Sequence, residues 1–365
     1  MSNTADYDVI IVGAGITGLM IAYHLLSKGL RIAVVEKEDF AGRGVTSRQS
    51  EVIHVIQLPF SSLKSKLARK GNKMYDNICK ELSVELRRTK AILVVESNLK
   101  LLLLFVGYLY LRAELGKDFR VEIRRSKGLK EVEPLISDRV KAGIVVDGYG
   151  ILDSASLVRN MVEHLKEKGV TFYFNCLATG GGLDADQERT LHVDTTLGRF
   201  RSRAVVIAAG LYSDEVAARF GIDVEKVTPG KGVIAEFAGL DVRNIIAPFS
   251  LIQRGRTKGG GIIPTVRGTC TFGPTLRIAK SKEDYEVDSE DIDQLIKKFS
   301  WLLSREGKLI KAFAGIRPLS PSEDFIIHFP AKYEGRVAVQ NGIESPGLTA
   351  APAIAEMVCS RLKHG

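Results

Sequence analysis

The sequence predicts an α/β protein in two parts, a discontinuous domain built on a parallel sheet and a lobe built on a mostly antiparallel one. Three observations carry this. βα units recur near both ends of the 365-residue chain. A strand-rich segment with many Gly and Thr, residues 227–275, lies between them. The apolar run Val9, Ile10, Ile11 and Val12 leads into Gly13, Gly15 and Gly18 at G-x-G-x-x-G spacing, followed by a helix over residues 16–27 and a second strand over 31–35.

Each glycine of the turn has its own steric task. Gly13 permits the tight turn, Gly15 lets a pyrophosphate approach the backbone, and Gly18 lets the helix close on the strand. The helix then aims its free N–H groups and positive dipole end at the phosphates. Glu36 closes the second strand, where a carboxylate accepts hydrogen bonds from both hydroxyls of an adenosine ribose and repels a 2′-phosphate. Strand, helix, second strand and terminal acid together define a Rossmann-like dinucleotide site. The motif alone does not separate FAD from NAD, since both present an adenosine ribose and a pyrophosphate.

Hydrophobic residues at 45% and charged residues at 26% mark a folded globular chain. A formal charge of +9 suits an anionic substrate, an anionic cofactor or an acidic membrane surface. No base-reading motif accompanies it, so nucleic acid is not an expected partner. Cys79, Cys176, Cys270 and Cys359 are far apart and form no C-x-x-C pair, which predicts buried thiols in a reducing compartment and no metal site. The chain enters its first strand within a few residues without signal-peptide regions, so a cytoplasmic location is expected. Residues 101–111 (LLLLFVGYLYL) are strongly apolar but well short of the roughly 20 needed for a bilayer span. They are read as a helix buried in the core or in a homodimer interface. The competing reading is a patch that docks on the inner face of the cell membrane or on a membrane partner.

Further along, residues 142–147 and 171–176 read as strands around a helix over 154–168, and residues 198–208 contain a strand ending in small residues. A helix is expected over 289–303, a strand over 336–340, and then a glycine turn at 342–348 into a last helix. The parallel-sheet domain is assigned residues 1–80, 142–225 and 332–365, and the second lobe residues 81–141 and 226–331.

Five blocks resemble the FAD-dependent oxidoreductases of the D-amino-acid oxidase and glycerol-3-phosphate dehydrogenase type, nearly end to end. They are VIIVGAGITGL with VVEKEDF, GVTSRQSEVIH, VVIAAGLYSDEVA, AFAGIRPLS and NGIESPGLTAAPAIAEMV. The last block and LKSKLARKGNKMYDNICKEL look most like the glycerol-3-phosphate dehydrogenase branch and its neighbour, the L-2-hydroxyglutarate oxidases. The resemblance implies an FAD domain, an antiparallel substrate domain and a reactive flavin face between them, and it makes NAD an improbable ligand.

By position, the resemblance places Gly13, Gly15, Ile16, Thr17 and Gly18 at the FAD pyrophosphate and Glu36 and Lys37 at the adenosine. Gly44, Val45, Thr46, Ser47, Arg48 and Ser50 form a loop that cradles the phosphates and passes beside the flavin, with Ala209 and Gly210 near the adenosine. Gly342, Pro346, Gly347, Leu348 and Thr349 pass the isoalloxazine edge, where a helix N-terminus stabilises negative charge on reduced flavin. Arg317 matches the arginine that binds the substrate's anionic group. Its planar fork suits a carboxylate or phosphate and keeps its charge. His54 is the candidate base because it follows the flavin-proximal loop and titrates near neutrality. Val55 and Ile56 follow it where the family has small residues, a departure expected to crowd the flavin face. Lys258 is a candidate second cation, ahead of a glycine run.

The activity implied is oxidation of sn-glycerol 3-phosphate to dihydroxyacetone phosphate, a small anionic hydroxy substrate, with electrons passing to a quinone or to a separate acceptor subunit. The expected sequence-level alternatives are oxidation of L-2-hydroxyglutarate or an amino acid, and a flavin electron-transfer subunit with an idle pocket. The sequence shows neither the C-terminal helical domain nor the cysteine-rich iron–sulfur module of longer relatives, so electrons are expected to leave the flavin directly or through a second chain.

Overall fold

A computed structural model describes residues 5–185, 190–250 and 260–364. Two sheets organise them. The first has strands in the order Ile326–His328, Val337–Asn341, Gly198–Ile207, Tyr7–Val12, Ile32–Val35 and Thr171–Tyr173. From Val337–Asn341 onward the neighbours run parallel. Val12 stands between Val35 and Ile207 in register, so the three strands end level beside the glycine turn. These strands are buried on both faces, which accounts for their unbroken apolar runs.

One face of this sheet is covered by the helices Ile16–Leu25, Leu63–Glu81 and Gly347–Arg361, through Leu19, Met20, Leu67, Tyr75, Ile354 and Val358. The opposite face is covered by the strands Ala178–Leu183 and Leu191–Thr195 and the helix Ser213–Arg219, through Val193, Val216 and Phe220. The helix after the glycine turn closes at Gly29, whose φ of 64° is the left-handed conformation of a helix end.

Gly71 allows the helix Leu63–Glu81 to approach the start of the last helix. A Cβ there would lie 2.1 Å from the Thr349 carbonyl oxygen. The Tyr75 hydroxyl, one turn further along, donates 2.6 Å to the Leu348 carbonyl and fixes the same helix start. Gly71→Ala is therefore expected to lower stability by about 2 kcal/mol or more, the overpacking penalty of a site that cannot yield. A thermal melt in which the variant matches wild type would contradict the close approach.

The second sheet is mostly antiparallel. One edge of it is the long ladder between Lys308–Leu319 and Thr228–Ala238, followed across the sheet by Cys270–Gly273, Gly261–Pro264, Ile245–Pro248, Leu86–Val95 and Ala142–Leu152. Ile245–Pro248 and Leu86–Val95 are its one parallel pair among the described strands. Three elements differ from the domain assignment. The strand beginning at residue 142 continues to Leu152 and pairs with Leu86–Val95 and with Val52–Ile53, so both it and Val52–Ile53 belong to this sheet and not to the parallel one. Ile326–His328, assigned to the lobe, instead forms the antiparallel edge of the first sheet against Val337–Asn341.

Residues 101–111 are only in part buried within this chain. They lie in the helix Leu101–Leu115, of which Leu104, Gly107, Leu111 and Leu115 are buried. That stripe packs against Val121–Arg125 and Ala142–Leu152, and among the described residues no second layer covers the outer side. Leu102 is 73% exposed and Phe105 47%.

Candidate active site

A cavity of about 1190 Å³ lies between the two sheets, and elements far apart in sequence converge on it. Gly13, at the end of the first strand, has φ 108°, and a Cβ there would stand 2.5 Å from the Ala208 carbonyl oxygen. Gly18 sits behind it, where a Cβ would meet the Gly13 carbonyl oxygen at 2.1 Å. Gly15 has no such neighbour. Its nearest atom would be the Thr46 hydroxyl at 3.7 Å, so the space over this glycine belongs to the cavity. A Cβ at Gly44 or Gly210 likewise meets nothing within 4 Å, and both residues line the cavity. The helix Ile16–Leu25 starts at Gly15 with no side-chain cap, so its positive end faces this space.

The Glu36 carboxylate is fixed at the tip of the second strand. Oε2 accepts from the Ala14 N–H at 2.7 Å and Oε1 from the Glu38 N–H at 3.1 Å. Burial raises its pKa and these two bonds oppose the rise. The Lys37 ammonium lies 4.0 Å from the centre of the Tyr212 ring. Ile16, Thr17, Glu36, Lys37, Ala209 and Gly210 all line the same end of the cavity.

In the loop after the second strand, the buried Thr46 hydroxyl accepts from the Ile16 N–H at 3.1 Å and ties the loop to the start of the first helix. Gly44, Val45, Thr46, Arg48 and Ser50 face the cavity. Ser47 does not, because its hydroxyl bonds back to the carbonyls of Arg43 and Gly44. The Arg48 guanidinium stacks 3.8 Å above Tyr285, and its carbonyl comes so close to Gly315 that a Cβ there would lie 2.0 Å away. This contact joins the loop to the strand carrying Arg317.

Pro346, Gly347 and Leu348 line the cavity at the start of the last helix, which carries no side-chain cap. Gly342 and Thr349 support from behind. Gly342 has φ 63° and packs on Ser320, and Thr349 is fully buried. The Thr349 hydroxyl accepts from the His54 N–H at 3.0 Å and lies 3.2 Å from the Val52 carbonyl, to which it donates. His54 Nδ1 lies 3.1 Å from the same carbonyl and 3.3 Å from the Thr349 hydroxyl. A carbonyl only accepts, so when the neutral ring donates from Nδ1–H to it the lone pair is on Nε2, the tautomer a base requires. Asn72 holds the segment by donating to the His54 and Gly148 carbonyls at 2.9 and 3.0 Å. The crowding expected from the next two residues is half realised. Val55 turns into the core of the second domain, and Ile56 lines the cavity.

Arg317 stands on the long edge ladder of the second sheet, opposite Gly230, and lines the cavity. Gly232, the neighbouring position with its space free of a side chain, leaves room for the guanidinium. Nη1 is buried and makes no hydrogen bond in the structure. Burial lowers the pKa of Arg317, and the nearby Glu344 works against the fall. Lys258 lies outside the described residues. The sequence reading did not single out Tyr149, Tyr212, Tyr285, Gln49 or Glu344, all of which line the cavity. Tyr149 is held beside His54, with ring centres 6.3 Å apart, and burial pushes its hydroxyl up to about 12.

Open space over Gly15, Gly44 and Gly210, two helix starts at the cavity wall and the carboxylate anchored at the tip of the second strand fit a dinucleotide with a second functional end. An arginine and a histidine stand at that other end. The fold and site define a dinucleotide-dependent oxidoreductase. The family model described as FAD dependent oxidoreductase matches residues 8–361, and the chain belongs to that family. FAD is accordingly its cofactor.

The chain is 29% identical to a glycerol 3-phosphate dehydrogenase of Caloramator mitchellensis, over 98% of this chain and 74% of that protein. It is 27% identical to a mitochondrial L-2-hydroxyglutarate dehydrogenase of Arabidopsis thaliana, over 97% and 83% respectively. Its fold matches an FAD-bound L-α-glycerophosphate oxidase of Mycoplasma pneumoniae at 23% identity and a TM-score of 0.87, over 98% of this chain and 94% of that one.

Proposed function

We propose that the enzyme oxidises sn-glycerol 3-phosphate to dihydroxyacetone phosphate and passes the electrons to a quinone-type acceptor. The observation that carries this reading is Arg317, a buried guanidinium with an unpaired Nη1 on the wall of the cavity that His54 also lines. A phosphate accepts from both arms of such a fork, and the buried setting strengthens the pairing. The similarity to a glycerol 3-phosphate dehydrogenase over nearly the whole chain supports phosphate as the anion.

In this reading Arg317 anchors the phosphate and so sets where C2 of the substrate lies. His54 Nε2 takes the C2 hydroxyl proton, with the ring held by the Val52 carbonyl and Thr349. The chemistry that FAD supplies when bound is acceptance of the hydride leaving C2. Gly347 and Leu348 present the start of the last helix to that end of the cavity, where its dipole favours negative charge. Ile56 and Tyr149 exclude water from the His54 side.

The FAD-loaded protein with a soluble dye acceptor is expected to form one dihydroxyacetone phosphate per two electrons transferred. Turnover of L-2-hydroxyglutarate with glycerol 3-phosphate inert would replace this reading, because a carboxylate also fits Arg317. His54→Gln keeps a side chain of similar reach but no group that titrates near neutrality. It is expected to slow the reductive half-reaction by about 10²–10⁴-fold with little change in substrate affinity. An unchanged rate in stopped flow would remove His54 from the chemistry.

A further inference from the structure

We infer that the outer face of the helix Leu101–Leu115 seats the enzyme on an anionic lipid bilayer. Leu102, Leu103, Phe105, Val106, Leu109 and Tyr110 are all exposed on this one helix, and residues 101–111 carry no charge. A soluble surface rarely presents large apolar side chains so densely, and such a patch marks an interaction site. Among the described residues no helix is long and apolar enough to cross a membrane. At about 1.5 Å per residue this helix is also too short for that, so it would lie in the interfacial plane with its apolar side down.

The rim of the face identifies the occupant. Phe60 packs 5.7 Å from Tyr110, and the Arg69 guanidinium lies over Phe60 at 5.4 Å, so the helix Leu63–Glu81 borders the patch with a basic side. Lys66 and Lys73 share that side of the helix, three positions before Arg69 and four after it. Lys100 and Arg112 flank the apolar run at its two ends. Acids are also present, since Asp118 pairs with Lys73, Glu96 stands 3.9 Å from Lys100 and Glu114 is exposed near the end of the same helix, yet the chain as a whole carries +9. Two copies joined through this face would bring like-charged rims and like-charged bodies together. An anionic bilayer accepts the apolar side chains and neutralises the rim, each lysine or arginine near the surface adding about 1 kcal/mol.

Gly107, Tyr110 and Leu111 of the same helix form part of the cavity wall, with Ile56, Leu58 and Phe249 beside them. Tyr110 is 45% exposed while lining the cavity, so the cavity's apolar end meets the docking face. A quinone dissolved in the bilayer would reach the cavity from that side without crossing water. This last consequence rests on the proposed acceptor, whereas the docking itself does not.

The test is sedimentation of the FAD-loaded protein with vesicles of phosphatidylglycerol and phosphatidylcholine, and with phosphatidylcholine alone. Wild type is expected to pellet with the anionic vesicles and to be released by salt. The double variant Leu102→Glu/Phe105→Glu alters exposed side chains outside the cavity wall. It is expected to keep its flavin absorbance and dye-linked activity while its partition onto anionic vesicles falls about tenfold or more. Wild type remaining in the supernatant, or a variant that pellets equally, would overturn the inference. So would a wild-type dimer that the double variant splits into monomers, which would give the face to a second copy. Vesicle binding needs no substrate, so binding without glycerol 3-phosphate turnover would leave the docking face standing and remove only the substrate assignment.

Discussion

Arg317→Met is expected to abolish most turnover while leaving the protein folded, yellow and at least as heat-stable as wild type. The guanidinium is buried, its Nη1 makes no hydrogen bond among the described residues and burial works against its charge. Replacing such a group by an apolar side chain of similar length removes a desolvation cost, so the melting temperature should hold or rise. In the proposed reading the substrate loses the fork that anchors its phosphate. Leaving a buried anion without its partner costs about 3–5 kcal/mol, which corresponds to a kcat/KM lower by about 10²–10⁴-fold. Arg317→Lys should recover part of this, since a lysine restores charge but not the planar pair of donors. Steady-state kinetics with a dye acceptor, beside a thermal melt of each variant, check both halves. Stability that falls with activity would make Arg317 a structural residue.

Gly15→Val is expected to give a folded protein without flavin. The φ of −72° and ψ of 172° at Gly15 are open to any residue, and the nearest atom to an added Cβ would be 3.7 Å away. The added methyls would enter only the cavity, where they occupy the approach of the pyrophosphate. Flavin content after purification should fall at least about tenfold, as expected where backbone and phosphate must come close. Gly18→Ala is the contrasting case. A Cβ there would lie 2.1 Å from the Gly13 carbonyl, so the strand and helix must part and the fold itself should suffer. Absorbance near the flavin band together with circular dichroism separates the two outcomes. A Gly15→Val protein that retains FAD would contradict the placement of the pyrophosphate.

These two predictions mark how the site could be read from sequence. The glycine turn, its helix and Glu36 lie within one βαβ stretch, where spacing alone dictates geometry. Arg317 was legible through the short block around it, although its burial and its open donor emerge only from the ladder it sits on. Tyr149, Tyr212 and Tyr285 reach the cavity from distant elements, and nothing in their immediate sequence sets them apart from core aromatics. Ser47 has the same hydroxyl as its neighbours in the loop, but local backbone bonds turn it away.

The fold shows the same division. Residues 142–147 form a continuous apolar run that suits a buried strand in either sheet. Only the pairing of Ala142–Leu152 with Leu86–Val95 decides which. The helix Leu101–Leu115 has apolar residues on every side of its first ten positions, so periodicity could not distinguish the packed stripe from the bare one. Partner availability settled it, since the second sheet covers one side and nothing described covers the other.

The central claim is that this cavity joins FAD to a phosphate-bearing hydroxy substrate. It is tested most directly by adding sn-glycerol 3-phosphate to the purified yellow protein without oxygen or acceptor and following the visible flavin absorbance. The account predicts bleaching that is complete at saturating substrate and far slower in Arg317→Met. Absorbance that glycerol 3-phosphate leaves untouched, but that L-2-hydroxyglutarate or an amino acid bleaches, would contradict it.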